Sequence, residues 1–202
     1  MFLNERDLQI ELILFLRDKG YVVHPEYHIP VSAIPGYEWK NDKVLSIDLV
    51  VEVEVEDSEC EYVPIELKYK HKEIKIALDR FGENLSGLVT NQASQNLGRY
   101  FFWKDVRRVE HLINRFSQIK YGGYVVFVTD DPTYMNNMGG KCNYHMFAMN
   151  KYRSVGPLKL DWVTPNPKFP GFNIVKHYYI KWEAPVNLSC ITYYGLIQKV
   201  VR

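Results

Sequence analysis

The sequence predicts an α/β domain, a central mixed β-sheet flanked by helices, with its elements in the order α-β-β-β-α-β. Three observations predict it. A capped helical stretch lies near the start, at "NERDLQIELILFLRDKG". Two alternating strands joined by an acidic turn follow, within "SIDLVVEVEVEDSECEYVPIELKYK", Ser46 to Lys70. A long amphipathic helix then runs into the nearly all-apolar "GGYVVFVTDD". A helix feeding a short apolar strand is the pattern of a crossover unit with a buried strand.

In the first helix Asn4 is the expected N-cap and Gly20 the C-terminal stop. Leu8, Leu12, Phe15 and Leu16 form its apolar stripe, with Glu5 close to that stripe and Glu11 at its border. "YVVHPEYHIP" reads as a strand closed by Pro30 and Pro35. His24 and His28 share a face of it, as a strand surface rather than a ligand pair.

In the next strand Ile47, Leu49, Val51, Val53 and Val55 alternate with Asp48, Val50, Glu52, Glu54 and Glu56. Its partner alternates Val63, Ile65, Leu67 and Tyr69 with Pro64, Glu66, Lys68 and Lys70. A turn centred near Ser58 sets Asp48 across from Lys68, with Glu66 diagonal to it and within side-chain reach. Glu52, Glu54 and Glu56 read as a solvent-facing row that blunts edge pairing. Pro64 predicts a bulge or an unpaired position.

The long helix is expected within "TNQASQNLGRYFFWKDVRRVEHLINRFSQ", with Phe102, Val106, Val109, Ile113 and Phe116 as its buried face. Extended backwards, that face meets Arg99, Gln95 and Gln92, polar side chains that are costly to bury without a partner. Arg107 and Arg108 read as a solvated face. Beyond Asp131 the pattern weakens. Further strands are expected in "LKLDWV", "HYYIKWEAP" and "CITYYGLIQKVVR", completing the sheet or covering one edge. Residues 1–202 thus read as one domain, with a core over 4–130 and a C-terminal elaboration over 131–202.

A formal net charge of +1 supplies no bulk attraction for nucleic acid, so any such site must be a local basic patch. Three scattered cysteines, an odd number, suggest no disulfide framework and point to a reducing cytoplasm. No apolar run is long enough for a membrane span, and "MFLNERDLQI" has no signal-peptide pattern. Cys142, His145 and His177 lack the spacing of a zinc site. No nucleophile elbow and no phosphate-cradling glycine loop is visible.

The chemistry-bearing set is therefore Asp48 with Glu66-x-Lys68, behind an upstream Glu-bearing helix and ahead of a helix with a polar start. This arrangement resembles the PD-(D/E)XK nuclease superfamily, the restriction-endonuclease-like fold, over roughly residues 4–130. "SID" stands where that family's name has "PD", and "NQASQNLGRYFFWKDVRRVE" is similar to the Gln-bearing helix after the motif. "IELKYK", "NLGRYFFWKDVRRVE" and "GGYVVFVTDD" together resemble an uncharacterised bacterial branch.

The resemblance implies hydrolysis of nucleic acid phosphodiester bonds with Mg²⁺, Mn²⁺ substituting for it, and DNA favoured over RNA. A metal offsets phosphate charge and makes water nucleophilic, and Mg²⁺ prefers a few hard oxygen ligands. Asp48 and Glu66 would supply these, with the Leu67 carbonyl as a third by resemblance. Lys68 would orient or deprotonate the attacking water, or stabilise the phosphate; a lysine whose pKa is lowered beside a metal suits deprotonation. Glu5 or Glu11, with Glu11 preferred, would bind metal-bound water or a second metal. Gln95 and Arg99 would hold phosphate or orient Lys68.

Other readings stand beside these. Asp48, Glu66 and Lys68 are also consistent with a solvated strand face carrying an ordinary ion pair. Gln92 reads equally as a helix-start surface residue, and Arg99 equally as a buried partner of Asp105 or of the first-helix Glu. Lys70, His71 and Lys72 read equally as a nucleic-acid contact or an exposed loop. A non-catalytic nucleic-acid-binding or accessory module of the same fold, in a defence or mobile-element system, is the alternative function. A homodimer would suit the cutting of both strands of a duplex.

Overall fold

The computed structural model describes residues 4–39, 41–54, 60–72, 94–140, 142–188 and 191–202. The first helix, α1, spans Glu5–Asp18; the Asn4 side chain caps it by accepting the Asp7 amide at 3.0 Å, and Gly20, at φ 86°, follows its end. Next come β1 (Val22–Pro30), β2 (Val44–Val53) and β3 (Glu61–Lys70). Helix α2 (Gln95–Arg115) then leads into β4 (Gly123–Thr129). The turn expected near Ser58, Glu56 and the residues 73–93, which include Gln92, lie outside the described residues.

One six-stranded sheet organises these elements. Its order is β1-β2-β3-β4-β10-β9, where β9 is Val186–Leu188 and β10 is Ile191–Val200. Only the β3–β4 pairing is parallel, as the intervening α2 crossover demands. The sheet is therefore mixed, as the sequence predicts.

Each face carries one helix. On one side Leu12, Ile13 and Leu16 of α1 pack on Val23, Leu49, Val51, Ile65 and Leu67. Ile13 takes the place expected of Phe15, which is 57% exposed. On the other side Phe102, Trp103, Val106, Val109 and Ile113 of α2 pack on Leu45, Ile47, Val50, Val125 and Phe127. Glu52, expected in a solvent-facing row on an edge, lies instead on an interior strand and meets His24 at 2.9 Å.

These contacts reveal a departure from strict alternation in β2. Ile47 and Val50 face α2, while Leu49 and Val51 face α1, so the pleat slips at Asp48. Opposite it in β1, Glu26 has φ 50°, and the register passes from Pro25↔Leu49 to Tyr27↔Ile47 without pairing Glu26 to Asp48. A non-glycine residue in the left-handed region inside a strand marks a local break that re-aims neighbouring side chains.

The β2–β3 register also differs from expectation. It runs from Val53↔Glu61 to Leu49↔Ile65, two residues away from the predicted pairing, so continuing it would put Asp48 level with Glu66 instead of Lys68. No bulge marks Pro64, which lies in register with Val50. The Leu67 amide points toward β2, so by strand alternation the Pro64 nitrogen points toward β4, whose pairing with β3 begins only at Ile65↔Tyr124.

The segment after Asp131 does two things. Through β10 and β9 it completes the sheet beyond β4. Through β5 (Ser154–Val155) with β8 (Tyr178–Tyr179), and β6 (Leu158–Leu160) with β7 (Phe172–Ile174), it covers α2 rather than a sheet edge. Trp103 Nε1 donates to the Phe147 carbonyl at 3.1 Å. Glu110, buried on α2, accepts the Val175 and Lys176 amides and the Tyr178 hydroxyl.

Candidate active site at the β2–β3 fork

Beyond Leu49↔Ile65 the two strands no longer pair, which leaves the N–H groups of β3 that face the gap in need of partners. Side-chain carboxylates supply them. Asp48 Oδ2 accepts the Leu67 amide at 2.6 Å, and Glu5 Oε2, at the first turn of α1, accepts the Tyr69 amide at 2.9 Å. Gln9 of α1 donates to the Asp48 carbonyl at 2.9 Å. The break at Asp48 thus turns a strand residue into a lid on the fork.

Lys68 spans the opening. Its ammonium lies 3.1 Å from the Leu67 carbonyl oxygen and 3.5 Å from both Glu5 Oε1 and Asp105 Oδ2. Burial alone would lower its pKa, but Asp105, Glu5, Asp48 and Glu66 outweigh that and hold the group above the usual lysine range. The lowered pKa that would suit a water-deprotonating lysine is thus reversed among these carboxylates.

Glu66 is 1% exposed. Arg108 Nη1 lies 3.1 Å from its Oε1 and 2.9 Å from Asp105 Oδ1, and another guanidinium nitrogen donates to the Ser46 carbonyl. The approach to Glu66 is off the hydrogen-bond axis, so Glu66 Oε1, like Asp105 Oδ2, is a buried oxygen with no hydrogen-bond donor. Burial pushes the Glu66 carboxyl well above the ordinary range against the pull of Arg108, and burial likewise raises Asp48.

The structure therefore brings together Asp48, Glu66, Lys68 and Glu5. Glu11, preferred from the sequence, is exposed on α1. Lys70 follows on β3, half-buried, with burial lowering its pKa. Lys72 reaches Asp131 at 3.3 Å. Gln95 and Arg99 engage elsewhere: Gln95 donates to Asp131 at 2.7 Å and to Thr133, while Arg99 donates to the Thr133 and Tyr134 carbonyls at 2.8 and 2.9 Å. Their need for buried partners is met by the turn after β4, not by Lys68. Gln92 lies outside the described residues.

Asp105 and Arg108 were not expected here. Phe102, Asp105, Val109 and Leu112 repeat at three and four residues, so a charge inside the apolar stripe was the available signal. Arg107, also expected in solvent, pairs with Glu38 and Glu110.

For a divalent cation, the orphaned Glu66 oxygen, the Asp48 carboxylate and the Leu67 carbonyl are hard oxygen donors on one side of the fork. Among the described residues no three His, Cys, Asp or Glu side chains are grouped as a ready metal cage. The donor set therefore suits Mg²⁺, which keeps much of its own water and uses few carboxylates. Among the described residues no helix is long and apolar enough to cross a membrane. Comparison with protein-family models, curated proteins and solved structures gives no significant match.

Proposed function

We propose that the chain is a metal-dependent nuclease of restriction-endonuclease-like type, hydrolysing phosphodiester bonds with Mg²⁺ or Mn²⁺ and acting on DNA in preference to RNA. One observation carries this reading: Asp48, Glu66 and Lys68 converge at a fork where β3 exposes backbone groups to side chains instead of to a neighbouring strand. Asp48, Glu66 and the Leu67 carbonyl would hold the cation, which when bound would activate water and offset phosphate charge. Lys68, kept protonated by its neighbours, would orient the water or meet the phosphate as a cation. Glu5, the more exposed carboxylate of the Lys68 pair, marks the side from which substrate would approach. Two copies would place two such sites on a duplex.

The deciding experiment titrates Mg²⁺ and Mn²⁺ by calorimetry into the wild type and Asp48→Ala, and assays both for cleavage of labelled single- and double-stranded DNA and RNA. Metal binding and cleavage that both vanish in Asp48→Ala would support the nuclease and name its substrate. A wild type that binds neither ion, with or without DNA, would refute it.

A second reading is favoured by the extent of internal pairing. Glu66 lies against Arg108, and Lys68 lies between Glu5 and Asp105, so the charges largely satisfy one another. That pattern also suits a non-catalytic accessory module of this fold. Metal-independent nucleic acid binding without cleavage would select it.

A further inference from the structure

The fork carries a surplus of charge with an asymmetric arrangement. Four carboxylates, Glu5, Asp48, Glu66 and Asp105, surround two cations, Lys68 and Arg108, a formal excess of two negative charges when all are ionised. Lys68 occupies the open side, shared among Glu5, Asp105 and the Leu67 carbonyl. Arg108 occupies the closed side. The side chains of Glu66 and Asp105 against it are 1% and 2% exposed, and each has an oxygen without a hydrogen-bond donor. An arginine cannot shed its charge in a protein, and the Ser46 carbonyl ties this one to β2.

We propose that Arg108, oriented by Asp105 and the Ser46 carbonyl, is a positioning residue that sets the cation capacity of the fork. It neutralises the closed side of Glu66, so the open side takes one divalent cation and no second. The excess of two negative charges matches one such ion. This inference rests on the metal-binding reading of the same fork.

Charge sign supplies the test. Mn²⁺ binding to the full chain is followed by electron paramagnetic resonance and calorimetry in the wild type, Arg108→Met, Arg108→Lys and Asp105→Asn, with circular dichroism melts checking each fold. The wild type is expected to bind one Mn²⁺. Arg108→Met should bind the first ion about tenfold more tightly, or admit a second, because a unit charge beside the site is removed. Arg108→Lys should stay at the wild-type value. Asp105→Asn should bind about tenfold more weakly.

Opposite signs in Arg108→Met and Asp105→Asn distinguish electrostatic tuning from scaffolding, which would weaken both. If Arg108→Met does not fold, weaker binding in Asp105→Asn beside unchanged binding in Arg108→Lys upholds the proposal, and any other pair overturns it. A folded Arg108→Met that binds no more tightly and no more ions than the wild type overturns it and leaves the metal site standing. Two ions in the wild type overturn it as well. Binding in Arg108→Met alone would uphold it while refuting the metal-dependent nuclease, and binding in neither protein would overturn both.

Discussion

Asp48 and Leu67 are joined across the fork by a 2.6 Å hydrogen bond from the Leu67 amide to Asp48 Oδ2, so a side chain finishes a ladder that the backbone of β2 abandons at Leu49. An orphaned buried amide costs about 1–3 kcal/mol. Asp48→Ala should therefore lower unfolding free energy by about that amount in urea titrations. Asp48→Asn keeps an acceptor but loses the charge, so it should stay within about 1 kcal/mol of wild type while Mn²⁺ binding falls. Equal stability losses in the two variants would show that the hydrogen bond contributes nothing.

Gly98 and Tyr134 form a size constraint within the core. A Cβ at Gly98 would lie 2.4 Å from the Tyr134 hydroxyl oxygen, and Tyr134 is 1% exposed. Gly98→Ala should cost about 1–3 kcal/mol through overpacking. That hydroxyl has no hydrogen-bond partner, so Tyr134→Phe alone should be near neutral or stabilising. Added to Gly98→Ala, it should recover much of the loss, which a double-mutant cycle of thermal melts measures.

The buried carboxyls give a pH signature of definite sign. Glu66 and Asp48 have folded pKa values raised by burial, so the native protein binds more protons than the unfolded chain between the ordinary carboxylate range and their raised values. Stability should fall as pH rises through that window. Glu66→Gln should flatten the fall. Lys68 is raised too, so its contribution is full below the ordinary lysine range and is lost as pH rises through its folded value. Urea melts from about pH 4 to about pH 9 test the first window; a rising slope in the wild type would contradict the assignment.

Gln95 and Arg99 should behave as scaffold. Arg99→Met removes two buried bonds to the turn after β4, and Gln95→Ala removes one partner of Asp131. Both should lower melting temperature, Arg99→Met by about 2–4 kcal/mol, with Mn²⁺ affinity held at the wild-type value. A loss of affinity without a loss of stability would return them to the site.

Much of the fold was legible because its signals are local. Asn4 caps α1 and Gly20 follows its end, while the run from Gly123 to Thr129 is apolar because it is an interior strand. The same local logic selected Asp48, Glu66 and Lys68. What escaped it depends on tertiary geometry. The two-residue register shift is set by the Leu49↔Ile65 pairing and the break at Asp48, neither of which strict alternation encodes. Arg108 looked like solvated surface because its partners, Glu66 and the Ser46 carbonyl, come from another part of the chain. Glu5 was ranked below Glu11 because wheel position does not reveal which end of α1 meets β3.

The pairing of β10 with β4 bears on how the protein is made. About sixty residues separate the end of β4 from the start of β10, yet the two strands pair from Tyr194↔Thr129 to Val200↔Gly123. During vectorial synthesis β4 leaves the ribosome well before its outer neighbour exists. For that interval the strand beside Glu66 and Lys68 has an open apolar edge, the kind of surface that nascent chains lose to aggregation. The step that shields it is the arrival of β10, so the demand for a chaperone should peak between those two events.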